Sequence, residues 1–71
     1  MTQDMIIEEI VKERERQNIL HMDNRLEDYL SIIVEEIGEV AKAIQSRDME
    51  NLKEELIQCC SVIVRWLEEI E

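Results

Sequence analysis

The stretch LSIIVEEIGEVAKAI, residues 30 to 44, decides how this chain folds. Its apolar residues recur every three or four positions, the period of an amphipathic helix and not of a strand. On a wheel of about 100° per residue, Tyr29, Leu30, Ile32, Ile33, Val34, Ile37, Val40, Ala41, Ala43 and Ile44 fill one broad arc. Asp28, Ser31, Glu35, Lys42 and Gln45 fill the other side. Glu36 breaks the pattern. It falls inside the apolar arc, with Ile32 and Ala43 on one side and Tyr29 and Val40 on the other. Glu39 stands at the edge of the arc, about 60° away, and Glu35 points to water.

The segment from Met49 to the end repeats the device. Glu55 falls inside an apolar arc, beside Val62, Cys59 and Trp66, and Gln58 takes the edge position three residues on. Glu54, like Glu35, faces water. Burying an unpaired carboxylate costs several kcal/mol, and two that face each other repel. Protonation, a basic partner or a bound cation can relieve that cost. Neither arc holds an Arg or Lys. Arg14 from an earlier segment can reach, which gives a buried ion pair as one reading. A divalent cation fits the pattern better, because Mg²⁺ takes carboxylate oxygens, keeps water and completes its shell with phosphate.

The rest of the chain bounds the answer. Seventy-one residues make one domain over residues 1 to 71. With no Pro, one Gly, no Phe and abundant Glu, Ile, Leu and Val, the composition is all-α. A first helix is expected from about Gln3 to about Leu20, opening on Ile6, Ile7, Ile10 and Val11. Continuing that face gives Arg14, Gln17, Asn18 and His21, either a solvated half or one that looks into a cavity. Asn24 and Glu27 resemble a capping box for a second helix from about Arg25 to about Gln45. Asp48 is the expected N-cap of a third, from about Met49 onward. Short connections favour antiparallel neighbours, so the expected fold is a bundle of about three helices, completed by a second copy. The lone Gly38 sits mid-helix, where a backbone approaches it or it is only tolerated.

Eighteen acids against eight bases give a net charge of −10. That field repels phosphate backbones and anionic lipid, which excludes nucleic-acid and membrane-surface partners. A phosphorylated substrate then needs a cation as bridge. No apolar run reaches a membrane span, and MTQDMIIEEI lacks the basic start of a signal peptide. Cys59 and Cys60 are neighbours on one helix and cannot bridge each other, so reduced thiols of a cytoplasmic protein are expected.

EEIGE at 35 to 39, followed after a turn by EELIQ at 54 to 58, resembles the MazG-like branch of the all-α nucleoside triphosphate pyrophosphohydrolases. That family carries ExxE, a spacer, then ExxD, and its acids bind Mg²⁺. The resemblance runs over about residues 26 to 70. It implies Mg²⁺-dependent hydrolysis (Mn²⁺ could substitute) of a nucleoside triphosphate to the monophosphate and pyrophosphate, by a homodimer or tetramer. Glu36, Glu39, Glu55 and Gln58 would be the metal ligands, with Glu36 or Glu39 also orienting the water. Gln58 departs from the family's Asp and brings no charge. Arg14, Gln17, Asn18 and His21 would line the nucleotide pocket, and Trp66 would stack on a base unless it belongs to the core. The family commonly has a fourth helix, which for this chain is expected to be missing, disordered or supplied by a partner. Two other readings share the fold: a non-catalytic assembly module that lost its last acid, and a relative acting on phosphoribosyl-ATP.

Overall fold

The structure, a computed structural model, describes residues 1–20 and 26–70, with the side chains of residues 18–20 and 26–27 outside the description. Three α-helices follow in order: α1 over Gln3–Leu20, α2 over Leu26–Ser46 and α3 over Met49–Ile70. All three lie within a residue or so of the expected bounds. The expected capping box at Asn24 and Glu27, and His21, fall outside the described residues and side chains.

Local chemistry explains the helix ends. Thr2 Oγ1 accepts from the Met5 N–H at 3.2 Å and starts α1. Asp48 Oδ1 accepts from the Asn51 N–H at 3.1 Å and starts α3, as its position predicts. Between them α2 closes with a Schellman motif. Arg47 adopts φ 57°, its N–H donates to the Ile44 carbonyl at 3.1 Å, and the Asp48 N–H donates to the Ala43 carbonyl at 3.1 Å.

The helix α3 is the centre of the molecule, packing against both others. Antiparallel to it, α2 sets the Tyr29 ring on Trp66, with centroids 5.9 Å apart and planes 12° from parallel. On its other side α1 runs in the same direction as α3, so that Ile10 meets Ser61 and Gln17 meets Arg65. Among the described residues α1 and α2 do not pack on each other, and a cleft opens between them over α3. The buried apolar residues are Tyr29, Ala43, Cys59 and Val62.

The structure narrows the expected face of α1 to the line of Ile10, Arg14 and Gln17. Ile7 and Val11, placed in its apolar stripe by sequence, are half exposed, while Gln17 is buried. The reason lies on α3, which meets α1 with Gln58, Ser61 and Arg65 instead of an apolar stripe. Ser61 is small enough for the α1 backbone to come close. Its Oγ donates to the Ile57 carbonyl at 2.8 Å and has the Ile10 carbonyl of α1 at 3.1 Å. The polar half of α1 therefore looks into the cleft, the second of the two expectations for it.

Candidate active site

The α2–α3 hairpin brings the two inward acids together. Glu36 and Glu55 sit where the helices face each other, close enough for their carboxyl groups to share a proton. Burial pushes the Glu36 pKa above its ordinary value, and the neighbouring charges of Glu55, Glu39 and Glu35 push the same way. One oxygen of Glu36, Oε2, is buried without a hydrogen-bond partner. Among the described residues no Arg or Lys acts on it. Burial also raises the nearby Cys59 thiol, with smaller contributions from Cys60 and Glu36.

Arg14 does not supply the missing charge. Its guanidinium forks onto Glu68, through Nε to Oε1 at 2.7 Å and Nη2 to Oε2 at 2.8 Å. This clasp ties α1 to the far end of α3 and lowers the Glu68 pKa. The ion-pair reading of Glu36 therefore fails.

The other expected site residues are placed as follows. Glu39 is exposed at the edge of the pair, 3.5 Å from Lys42. Gln58 stands half-buried beside the acids, and its backbone carbonyl accepts from Gln17 Nε2 at 3.4 Å. Trp66 spends its face on Tyr29. The Asn18 side chain and His21 lie outside the description. Beside Glu36 opens a cleft of about 350 Å³, whose walls include Gln17, Tyr29, Gln58 and Arg65. A larger groove of about 620 Å³ follows α1 and the start of α3, past Lys12 and Lys53, but reaches neither Glu36 nor Glu55. The smaller cleft holds the buried acid, and it is the candidate site.

Sequence reading passed over Tyr29 and Arg65 as site residues. A signal for Arg65 was present: Gln58, Ser61, Val62 and Arg65 share one helical face at i, i+3, i+4 and i+7, and three of the four are polar.

Among the described residues no three His, Cys, Asp or Glu side chains gather closely enough to hold a metal by themselves. The donor set is the Glu36–Glu55 pair with one orphaned oxygen. That set fits Mg²⁺, which is commonly held by one or two carboxylates and otherwise by water and substrate phosphate. Two carboxylates at this proximity are also the arrangement that a cation stabilises most.

No curated protein and no solved structure matches the chain. The family model of the MazG nucleotide pyrophosphohydrolase domain does, over residues 24–64. The matched region holds Glu36, Glu39, Glu55 and Gln58 and leaves out α1, Arg65 and Trp66. It is more than half of the chain, and with the acids of α2 and α3 face to face the chain belongs to the MazG nucleotide pyrophosphohydrolase domain family.

Proposed function

We propose that this protein hydrolyses a nucleoside triphosphate to the monophosphate and pyrophosphate, with Mg²⁺ or Mn²⁺ at Glu36 and Glu55. The buried, unpartnered Glu36 Oε2 facing a second carboxylate carries this reading. A bound cation would neutralise phosphate charge and make a water more acidic. The chain supplies the rest. Glu36 and Glu55 hold the cation from opposite helices, and Gln58 offers a neutral amide oxygen at the same level. Glu39, exposed beside the pair, would accept a proton from the attacking water.

Two features support an assembly of two or more copies: the small core and the apolar residues that α2 and α3 leave exposed. The free thiols Cys59 and Cys60 suit a reducing, cytoplasmic setting.

Gln58 separates this function from that of a non-catalytic relative of the same fold. The test is pyrophosphate release from the common nucleoside triphosphates, with and without Mg²⁺, by the natural protein and by Gln58→Asp. Metal-dependent release by the natural protein is the expected result. Release by Gln58→Asp alone would mean that the natural chain has lost the activity and keeps the fold for assembly.

A further inference from the structure

Four buried side-chain polar atoms lack a hydrogen-bond partner among the described residues: Gln17 Oε1, Tyr29 Oη, Glu36 Oε2 and Arg65 Nε. All four residues line the same cleft. Native interiors leave few such atoms, so four in one cleft call for a common explanation. The acid pair accounts for Glu36 and for none of the others. Gln17, Tyr29 and Arg65 are only 5%, 0% and 4% exposed, so bulk water does not satisfy them.

Each of the three is held in place by its other contacts. Gln17 Nε2 donates to Glu13 Oε2 at 3.3 Å and to the Gln58 carbonyl at 3.4 Å. Both partners are pure acceptors, so the amide nitrogen belongs on that side and Oε1 is turned away from them. Arg65 Nη1 donates to the Gln17 carbonyl at 3.2 Å, and its guanidinium carbon lies 6.0 Å from the centre of the Tyr29 ring. The Tyr29 ring is fixed in turn by Trp66. The result is a rigid acceptor, a rigid donor and a hydroxyl around walls that include Ile32 and Val62.

Charge decides what kind of ligand suits them. Arg16, the other base of the cleft, is neutralised by Glu13, to which its Nε and Nη2 donate at 2.9 and 2.7 Å. That leaves Arg65 against Glu35 and Glu36, a net negative surround that disfavours a phosphate. A neutral, flat heterocycle with an acceptor and a donor on its rim satisfies all three atoms and covers the apolar wall.

We propose that Gln17, Tyr29 and Arg65 form the recognition site for a nucleobase that carries a ring carbonyl beside an N–H. This assignment rests on the nucleotide-hydrolysis reading. Arg65 Nε–H donates to the carbonyl, Gln17 Oε1 accepts the adjacent N–H, and Tyr29 Oη bonds a further polar atom of the ring or sugar. Uracil, thymine, guanine and hypoxanthine have that edge; adenine has no carbonyl. Gln17 and Arg65 lie outside the residues that carry the family match, and Tyr29 lies inside them.

Inosine and adenosine differ only at this edge, which makes them the probes. The full chain, without metal, is titrated with inosine, uridine and adenosine while backbone amide shifts are followed by NMR. Inosine and uridine are expected to bind saturably and at least about tenfold tighter than adenosine. Tyr29→Phe and Gln17→Met are each expected to weaken inosine by about 5- to 100-fold. Tyr29→Phe keeps the ring against Trp66 and removes a buried unpaired hydroxyl, so its melting temperature should hold or rise; a purely structural hydroxyl would give a fall. Equal affinity for the three nucleosides, no saturable binding of any, or variants that bind like the natural protein would overturn the proposal and leave the orphaned atoms to buried water. The two readings fail separately. Triphosphate hydrolysis indifferent to base and to Tyr29→Phe sinks the recognition site alone. Edge-dependent nucleoside binding without pyrophosphate release sinks the hydrolysis alone.

Discussion

Glu36 is half-buried against another acid with no basic group among the described residues acting on it, so its charge works against folding until a cation arrives. Because the folded pKa is raised above 4.5, the metal-free folded state binds more protons than the unfolded state between 4.5 and that raised value. Stability therefore falls as pH rises through this window and recovers on acidification towards it. Glu13 and Glu68 act with the opposite sign. Their pKa values are lowered by Arg16 and Arg14, so what they contribute is present above 4.5 and is lost as pH falls below it. We expect Glu36→Gln to remove the first slope, abolish Mg²⁺ binding and stabilise the metal-free protein by on the order of 1 kcal/mol. At this chain length each kcal/mol is about 4–8 °C in melting temperature. Melting curves across pH, with and without Mg²⁺, check this. A less stable variant would show that the carboxylate has a cationic partner after all. At this scale the sequence was most legible for Glu36 and Glu55, because an acid inside an apolar arc stands out on a wheel. Arg65 showed only as one more polar position on the Gln58–Ser61 face, since its partner is a backbone carbonyl of a helix distant in sequence.

At the level of elements, the helices could be read because their signals are local. Period, an Asp before Met49 and the absence of Pro fix where α2 and α3 run. The facing of α1 could not be read that way. It depends on Ser61, whose side chain lets α1 approach, and on the Gln58–Arg65 face, which takes up the polar half of α1. Nor does any sequence signal mark the αL residue that closes α2, because the usual glycine is replaced by Arg47. An L-residue with a Cβ pays about 1–2 kcal/mol in that conformation. Arg47 is exposed, and among the described residues its side chain makes no ion pair that would offset this. Arg47→Gly is therefore expected to stabilise the chain by about 1 kcal/mol, less the added freedom of glycine in the unfolded state. Chemical denaturation should show a higher midpoint at an unchanged m-value. A lower midpoint would mean that the Arg47 side chain holds the α2–α3 turn.

For the whole molecule, the surface left over indicates what is missing. The chain exposes 5399 Å², against about 4,700 Å² for a compact monomer of 8.5 kDa. Its radius of gyration is 12.4 Å, where about 11 Å is usual for 71 residues. The excess surface, about 700 Å², is close to one partner's share of a standard interface, about 800 Å². It is also in the right place. Leu30, Val34, Ile37, Ala41 and Ile44 are exposed along α2 at alternating spacings of four and three, a heptad seam. Leu56, Cys60, Ile63, Leu67 and Ile70 form a second such seam along α3. The wheel placed these residues in the core, and α3 covers only one side of the broad arc of α2. Gly38 lies on this open face, where an added Cβ would meet nothing within 4 Å. The chain's own packing does not require glycine there; a dimer whose partner helix comes close at Gly38 would. A second copy laid on these seams would complete a four-helix bundle from two hairpins and leave the cleft between α1 and α2 open. We expect sedimentation equilibrium at micromolar concentration to give a dimer or tetramer for the natural chain. Ile37→Lys, which sets a charge on the α2 seam and not on a residue that lines the cleft, should give a monomer that melts at a lower temperature. A natural chain that sediments as a monomer would leave both seams to a different protein, and Gly38 would then be no more than a tolerated cost to α2 of about 1 kcal/mol.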